Sequence, residues 1–401
     1  MTVPGIIKKV IIIIVSLCIS WLLIEVLLRI LAQYSYRIRF YVTNPKKQIF
    51  TDTMVDWKSI TENTPCPTAP GLQYNGFIYN SHGFETPDVP YEKPAKTKRV
   101  LLLGDSFALG VVPYYQHFFR LMESKVNQEL VPQTGKKYEF INLGLGCIGP
   151  AVERRILEVE GAKYAPDVII LSFFVGNDFT DDNPPYLKYT GLLNKYVPAI
   201  HIPARLGDSS LVSLVENLYL VYTTGKGLQP VAKTDHTGIT GVYVGGSWVD
   251  RYDPMRPTMT DNAYREKISR DLGIYFTDGY PSFPRVEGDI RRMAQISRSL
   301  HANFLVLIIP AEIQLNKKLL DSVTWVARRN QEKPDVSLPQ RQLTNFLKKE
   351  SIDFIDLLPE FEKNASNPAI YYQPNDEHLN TYGNQAAADL LYPWLYNHLN
   401  K

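Results

Sequence analysis

The sequence predicts an α/β protein built on a parallel sheet of about five strands, with a transmembrane helix ahead of it. Three observations predict this. Short apolar runs recur from residue 99 to residue 356, each bounded by a turn signal, as in strands buried on both faces. Stretches of helical periodicity separate them, and strand, helix, strand at this spacing gives right-handed βαβ units. Residues 6–32 hold about twenty apolar positions, enough to span a bilayer. The strands and their intervening helices add up to a flavodoxin-like three-layer α/β/α sandwich. The 401 residues are 45% apolar, which supplies a real core and excludes a disordered chain. A formal charge of +2 gives no argument for nucleic acid.

Residues 1–35 read as a cytoplasmic start and a membrane anchor. Lys8 and Lys9 precede the run from Val10 to Ile24, and Glu25 and Arg29 stand four apart, close enough to pair on one helix face. The run is long and no small-residue cleavage site follows it, so an uncleaved anchor is favoured over its rival, a signal peptide. Lys8 and Lys9 put the N-terminus inside. Arg37, Arg39, Lys46 and Lys47 argue the other way, although long domains cross largely regardless of charge. Residues 36–98 lack a period and read as a stalk that also wraps the edge of the domain at 99–401.

Within that domain, Val100–Leu103 forms a strand and a helix follows over about 115–130. A strand at Tyr138–Leu143 leads into a glycine-rich loop ending at Pro150. A helix from Ala151 to Gly161 precedes a strand at Asp167–Val175. An insertion at about 181–285 breaks the rhythm, with an amphipathic stretch at Leu211–Tyr222 and a hairpin candidate at Thr234–Val249. It reads as a cap or lid over the site, or else as a scaffold for a partner. The alternation resumes with a helix near 288–300, a strand at Phe304–Ile309, a helix near 339–350, a strand at Ile352–Asp356 and a last helix over Tyr382–His398.

The chemistry gathers after the first strand. Gly104 lets the chain bend, and Ser106 then stands at the carboxyl end of a parallel strand, where ligands collect in such sheets. The second Gly-Asp-Ser, at 207–209, follows Pro203 and Arg205 and reads as a loop. A serine hydroxyl needs a base, and His378 is the best candidate, with Asp376 two residues before it to hold the imidazole tautomer. Asp105 is nearer to Ser106 in sequence, but adjacent residues on a tight turn point apart. His82 reads as a loop histidine. An oxyanion needs donors, and the Ser106 N–H and the Asn177 amide qualify.

Gly104-Asp105-Ser106-Phe107, Ile141-Asn142-Leu143-Gly144, Gly176-Asn177-Asp178 and Asp376-Glu377-His378 stand in the order of the four blocks of the SGNH (GDSL-type) hydrolases. The chain resembles that family over about residues 80–180 and 290–400. The resemblance implies a serine esterase working through an acyl-serine, with the catalytic domain outside the membrane. It also implies a third oxyanion donor, a backbone N–H at a glycine in the second block. Here Asn142-Leu-Gly-Leu-Gly-Cys-Ile-Gly-Pro150 puts Cys147 at that glycine, or Gly146 after a one-residue shift. The expected substrate is an acyl ester on a cell-envelope glycan or lipid, acetyl being one candidate. The alternatives are an O-acyltransferase acting on a cell-surface polysaccharide and a catalytically silent, membrane-tethered binding protein.

No cofactor, metal or nucleic acid is expected. Gly144-x-Gly146-x-x-Gly149 follows a strand, but no acidic residue ends a strand about twenty positions on, as a dinucleotide site requires. The three cysteines contain no Cys-x-x-Cys, which argues against structural zinc. Cys66 and Cys147 could pair in an oxidising compartment, although sequence gives no distance between them. Cys18 lies in the apolar segment and reads as inert.

Overall fold

The structure, a computed structural model, describes residues 3–34, 54–62, 66–181, 252–255, 257–276, 283–324, 334–363 and 370–400, with isolated positions at 38, 42, 64, 209–212, 214, 215 and 218. The chain divides into two compact units, residues 1–48 with 184–232 and residues 49–183 with 233–401.

The first unit is carried by helix α1 (Val3–Tyr34). Its stretch Ile11–Ala32 is 22 residues long with a mean hydropathy of 2.8 and no burial within the protein. At 1.5 Å per residue it measures about 33 Å, against about 30 Å for a hydrocarbon core. It is long and apolar enough to cross a membrane, a test that a signal sequence also passes. Glu25 Oε1 accepts a 2.7 Å bond from Arg29 Nε, as the spacing predicts. The same carboxylate accepts from Ser209 Oγ and from the N–H groups of Ser210 and Leu211. Residues 210–212, 214, 215 and 218 are helical, within or beside the expected amphipathic stretch. The hairpin candidate at Thr234–Val249 and the glycine and aspartate of the second Gly-Asp-Ser lie outside the described residues.

The second unit holds two sheets. A small hairpin pairs β1 (Gln73–Tyr74) with β2 (Phe77–Ile78). The main sheet has β3 (Thr97–Gly104), β4 (Lys137–Asn142), β5 (Val168–Phe174), β6 (Asn303–Ile309) and β7 (Asp353–Asp356), all parallel, in the order β4-β3-β5-β6-β7. This is the flavodoxin order, and its switch point falls between β3 and β5. Leu101–Leu103 and all of β5 are buried, so both strands have a covered layer on each face.

Helices α4 (Phe118–Thr134) and α12 (Thr381–Leu399) pack together in one layer, and α5 (Pro150–Val159) and α7 (Phe283–Ser299) in the other. In α4, Phe118, Phe119, Met122, Val126 and Leu130 form the buried stripe, and Gly135 closes the helix in the left-handed region at φ 63°. In α5, Pro150 opens the helix where its missing N–H costs nothing. The shorter helices are α2 (Trp57–Glu62), α3 (Ser106–Leu109), α6 (Asp261–Asp271), α8 (Glu312–Leu315), α9 (Lys317–Thr324), α10 (Leu338–Lys349) and α11 (Leu358–Glu362). Sequence periodicity found α10 but missed α2, α3, α8, α9 and α11, whose one or two turns carry too little pattern.

Residues 54–98 lie against the domain, with Met54, Ile60 and Phe84 in the core. Arg99 ties this segment to the sheet. Its side chain is fully buried, bonds Glu139 at 2.8 Å, and donates to the carbonyls of Pro90, Tyr91, Glu92 and Tyr164. Arg99→Met strips four carbonyls and one carboxylate of their shared donor. It is expected to lower unfolding free energy by about 3–5 kcal/mol in a denaturant titration of the full chain in detergent. Arg99→Lys should recover little of the loss, because an ammonium lacks the planar fork.

Candidate active site

β3 delivers Ser106. Asp105 caps α3, its Oδ1 accepting from Phe107 N at 2.8 Å, and Ser106 is the first helical residue. The cap folds the Asp105 carboxylate back, so its Oδ2 lies 3.4 Å from Ser106 Oγ. Here the structure corrects the expectation that the two adjacent side chains point apart. His117 braces the same turn, its Nε2 lying 2.9 Å from the Phe107 carbonyl oxygen. Burial pushes His117 down to about 4, so the neutral ring donates to that carbonyl.

β7 and α12 bracket the loop that delivers His378. The loop is pinned by Gln373 N to His378 O, Asn380 N to Tyr371 O, and an isolated bridge between Tyr372 and Leu379. Asn380 then caps α12, accepting from the N–H groups of Tyr382 and Gly383. His378 Nε2 lies 2.8 Å from Ser106 Oγ, and His378 Nδ1 lies 2.5 Å from Asp376 Oδ1. The Phe107 ring, stacked on Phe174, also lies 4.9 Å from the imidazole and packs beside it.

Burial disfavours charge on both members of the His378–Asp376 pair, but each favours the charge of the other. Burial works against an anionic Asp376. The facing imidazole, its hydrogen bond and Lys267 outweigh that and hold the carboxyl well below the usual range. Burial likewise disfavours the imidazolium of His378, and Asp376 raises its pKa despite that.

Sequence reading missed the groups around Asp376. Thr258 Oγ1 donates to Asp376 Oδ2 at 3.1 Å. Asn375 Nδ2 bonds Met259 O and Asp261 Oδ1, Gln373 Nε2 bonds Asp253 O, and Lys267 pairs with Glu377 at 2.8 Å. The described residues 252–276 of the insertion therefore fasten the histidine loop. The one local signal was Thr260, whose side chain caps α6. Nothing in the sequence said what that helix packs against.

The donors are less uniform than expected. Ser106 N–H has no partner among the described residues. In the second block, Gly144 N bonds Asn142 Oδ1 and Leu145 N bonds Gly104 O, whereas the N–H groups of Gly146 and Cys147 are unpaired among the described residues. Asn177 reaches the same place, yet its Nδ2 donates to Asp181 Oδ2 at 2.7 Å and to Asp105 Oδ2 at 3.2 Å. Both amide hydrogens are spent on carboxylates, because Asp181 stands one turn further on and reaches back. Burial first, then the nearby charge of Asp181, raises the Asp105 carboxyl, and burial raises that of Asp178. Oxygen atoms of Asp105, Asp178 and Asp181 lie within 4.8 Å of one another. The Asn177 amide bridges two of these carboxylates, Asp105 and Asp181.

His82 stacks on Trp57 and lies 3.2 Å from Glu160 Oε1, among partners distinct from those of Ser106. Cys66 and Cys147 are joined by a disulfide, the pairing that sequence left open, and Cys147 sits at φ 62°. Cys18 is free and exposed on α1.

Fold and site together define a class: a doubly wound α/β domain with a Ser–His–Asp array at the carboxyl ends of its strands, the arrangement that acyl-transferring serine enzymes use. No family profile and no curated protein matches the chain. Solved structures similar to it include an acetyl xylan esterase, 14% identical over 74% of this chain and 99% of that one, with a TM-score of 0.37. Another is a lipase from a goat rumen metagenome, at 12% identity over 75% and 99%, TM-score 0.39. A third is a psychrotrophic esterase from Pseudoalteromonas sp., at 10% over 76% and 100%, TM-score 0.36.

The charge balance at His378 yields a direct expectation. By NMR, its imidazole should titrate above the ordinary histidine value of about 6.5. Asp376→Asn removes the group that favours the imidazolium and leaves burial unopposed, so the midpoint should fall below that value. An unchanged midpoint would mean that Asp376 does not govern the ring.

Proposed function

We propose that the protein is a serine ester hydrolase of the SGNH type that acts through an acyl-serine. The observation that carries this reading is His378 Nε2 at 2.8 Å from Ser106 Oγ with its Nδ1 on Asp376. His378 takes the Ser106 proton as Oγ attacks an acyl carbonyl carbon. Asp376 holds the tautomer and favours the imidazolium that forms. The Ser106 N–H and the N–H of Cys147 or Gly146 face the developing oxyanion. Asn177 joins them once its amide turns from Asp181. His378 then returns the proton to the leaving alkoxide. In the second half, His378 deprotonates water, which attacks the acyl-serine; as the acyl–oxygen bond breaks, His378 returns that proton to Ser106 Oγ and the acid leaves.

Residues 6–32 act as a membrane anchor with the N-terminus inside and the catalytic domain outside the cytoplasm. This reading is supported by the apolar stretch Ile11–Ala32 following Lys8 and Lys9. That placement suits acyl esters on a cell-envelope glycan or lipid, with acetyl as the first acyl group to try. A reporter fused after the described C-terminal helix should be active in its extracytoplasmic form. Activity of a cytoplasm-only reporter would reverse the topology.

The full chain in detergent should release free acid from an activated acyl ester. Ser106→Ala should cut that rate by about 10³-fold or more. A variant that keeps full activity would remove Ser106 from the mechanism. If a glycan acceptor diverted nearly all acyl groups onto its hydroxyls, transfer would replace hydrolysis as the reaction, since a positioned hydroxyl can outcompete water.

A further inference from the structure

We infer that the Cys66–Cys147 disulfide is a positioning element for the oxyanion loop: it holds Cys147 in a left-handed backbone conformation that presents a backbone N–H to the acyl oxygen at Ser106. The inference rests on the acyl-serine reading and adds to it a residue, Cys66, outside the catalytic array. The loop from Gly144 to Gly149 packs directly on the nucleophile turn. A Cβ on Gly144 would lie 2.4 Å from Ala108 Cβ, and one on Gly146 would lie 3.8 Å from a methyl of Leu109 and 3.6 Å from Cys66 Cβ. Asn142 Nδ2 also bonds the Ala108 carbonyl at 2.8 Å. The loop cannot shift without moving Ser106's own helix.

Cys147 is the one non-glycine residue of this loop with positive φ, at 62°. A side chain makes that conformation unfavourable unless something outside the residue enforces it. The enforcing contact is the bond to Cys66, 81 residues away in sequence and part of the segment that wraps the domain. That segment is itself anchored close by. Asn75 Nδ2 donates to the Gly110 carbonyl, beyond the nucleophile helix, at 3.0 Å. Gly144 N and Leu145 N are already committed within the turn, whereas the N–H groups of Gly146 and Cys147 have no partner among the described residues.

The conformational claim separates from simple tethering by rescue with glycine, which adopts positive φ without a bond to hold it. The test compares three double variants, Cys66→Ala with Cys147→Ala, Cys147→Asn or Cys147→Gly, in the full chain. Hydrolysis of an activated acyl ester gives kcat and KM. The second-order rate of Ser106 labelling by a fluorophosphonate is the second readout, and the thermal midpoint reports stability. Alanine at 147 should lower kcat and labelling about ten-fold, the population ratio matching ~1.4 kcal/mol of left-handed cost, with KM little changed. Glycine should return both rates to within about three-fold of the native enzyme, with asparagine between them, while all three thermal midpoints stay lowered by loss of the crosslink. If the alanine variant does not fold, the order of glycine above asparagine carries the same test. Equal rates across the three variants, or glycine no better than asparagine or alanine, would overturn the inference. If the native enzyme itself neither hydrolyses nor labels at Ser106, the acyl-serine reading falls first and takes this inference with it.

Discussion

The site depends on three strand ends packed too closely to admit a Cβ at Gly104 or Gly144. At the end of β3, Gly104 has φ 154°, and a Cβ there would lie 2.9 Å from both Ser172 Cβ and the Ser172 carbonyl oxygen on β5. On the other side, Gly144 at the end of β4 leaves no room for a Cβ against Ala108. The turn from Gly104 to Ala108 is thus wedged between the ends of its two neighbouring strands. Interiors at this density move little, so the wedge fixes where Ser106 emerges. A larger residue at either glycine would displace the nucleophile before it touched anything catalytic.

His378 arrives from 272 residues away, and its placement is the work of a different set of contacts. The bridge between Tyr372 and Leu379 and the Asn380 cap hold the loop's backbone, while Thr258 and Lys267 act on Asp376 and Glu377. The electrostatic logic is one of opposition. Burial discourages charge on the pair, and the pair's own attraction restores it, so the imidazole is poised to accept a proton from a neutral serine. Asp105 differs: burial raises its carboxyl, and the neighbouring Asp181 carboxylate, a like charge, adds to the rise. The site therefore contains one carboxylate held low by its imidazole partner and two carboxyls, Asp105 and Asp178, raised first by burial and then by neighbouring carboxylates.

The parallel sheet was legible because β3, β5 and β6 are apolar runs that only a doubly covered strand explains. Ser106 was read from its strand-end position, and His378 from its company with Ser106 and Asn177, since an Asp-x-His triplet alone looks like a solvated helix start. Thr258 and Lys267 were not, since a threonine and a lysine in a polar stretch look alike whether they face solvent or Asp376. The engagement of Asn177 by Asp181 was missed for a related reason: the residue type predicts a donor, but its four-residue neighbour decides where that donor points. The Cys66–Cys147 bond depends on how a segment without periodicity wraps the domain, which no local pattern encodes.

The most direct test of the convergent site is a crystal structure of the protein after reaction with an alkyl fluorophosphonate, whose phosphoryl oxygen stands in for the oxyanion. The adduct should sit on Ser106 Oγ, with that oxygen within about 3.1 Å of the Ser106 N–H and of the Cys147 or Gly146 N–H, and with the Asn177 amide turned from Asp181 toward it. An unmodified Ser106, or an adduct whose phosphoryl oxygen faces solvent with these donors unused, would contradict the account.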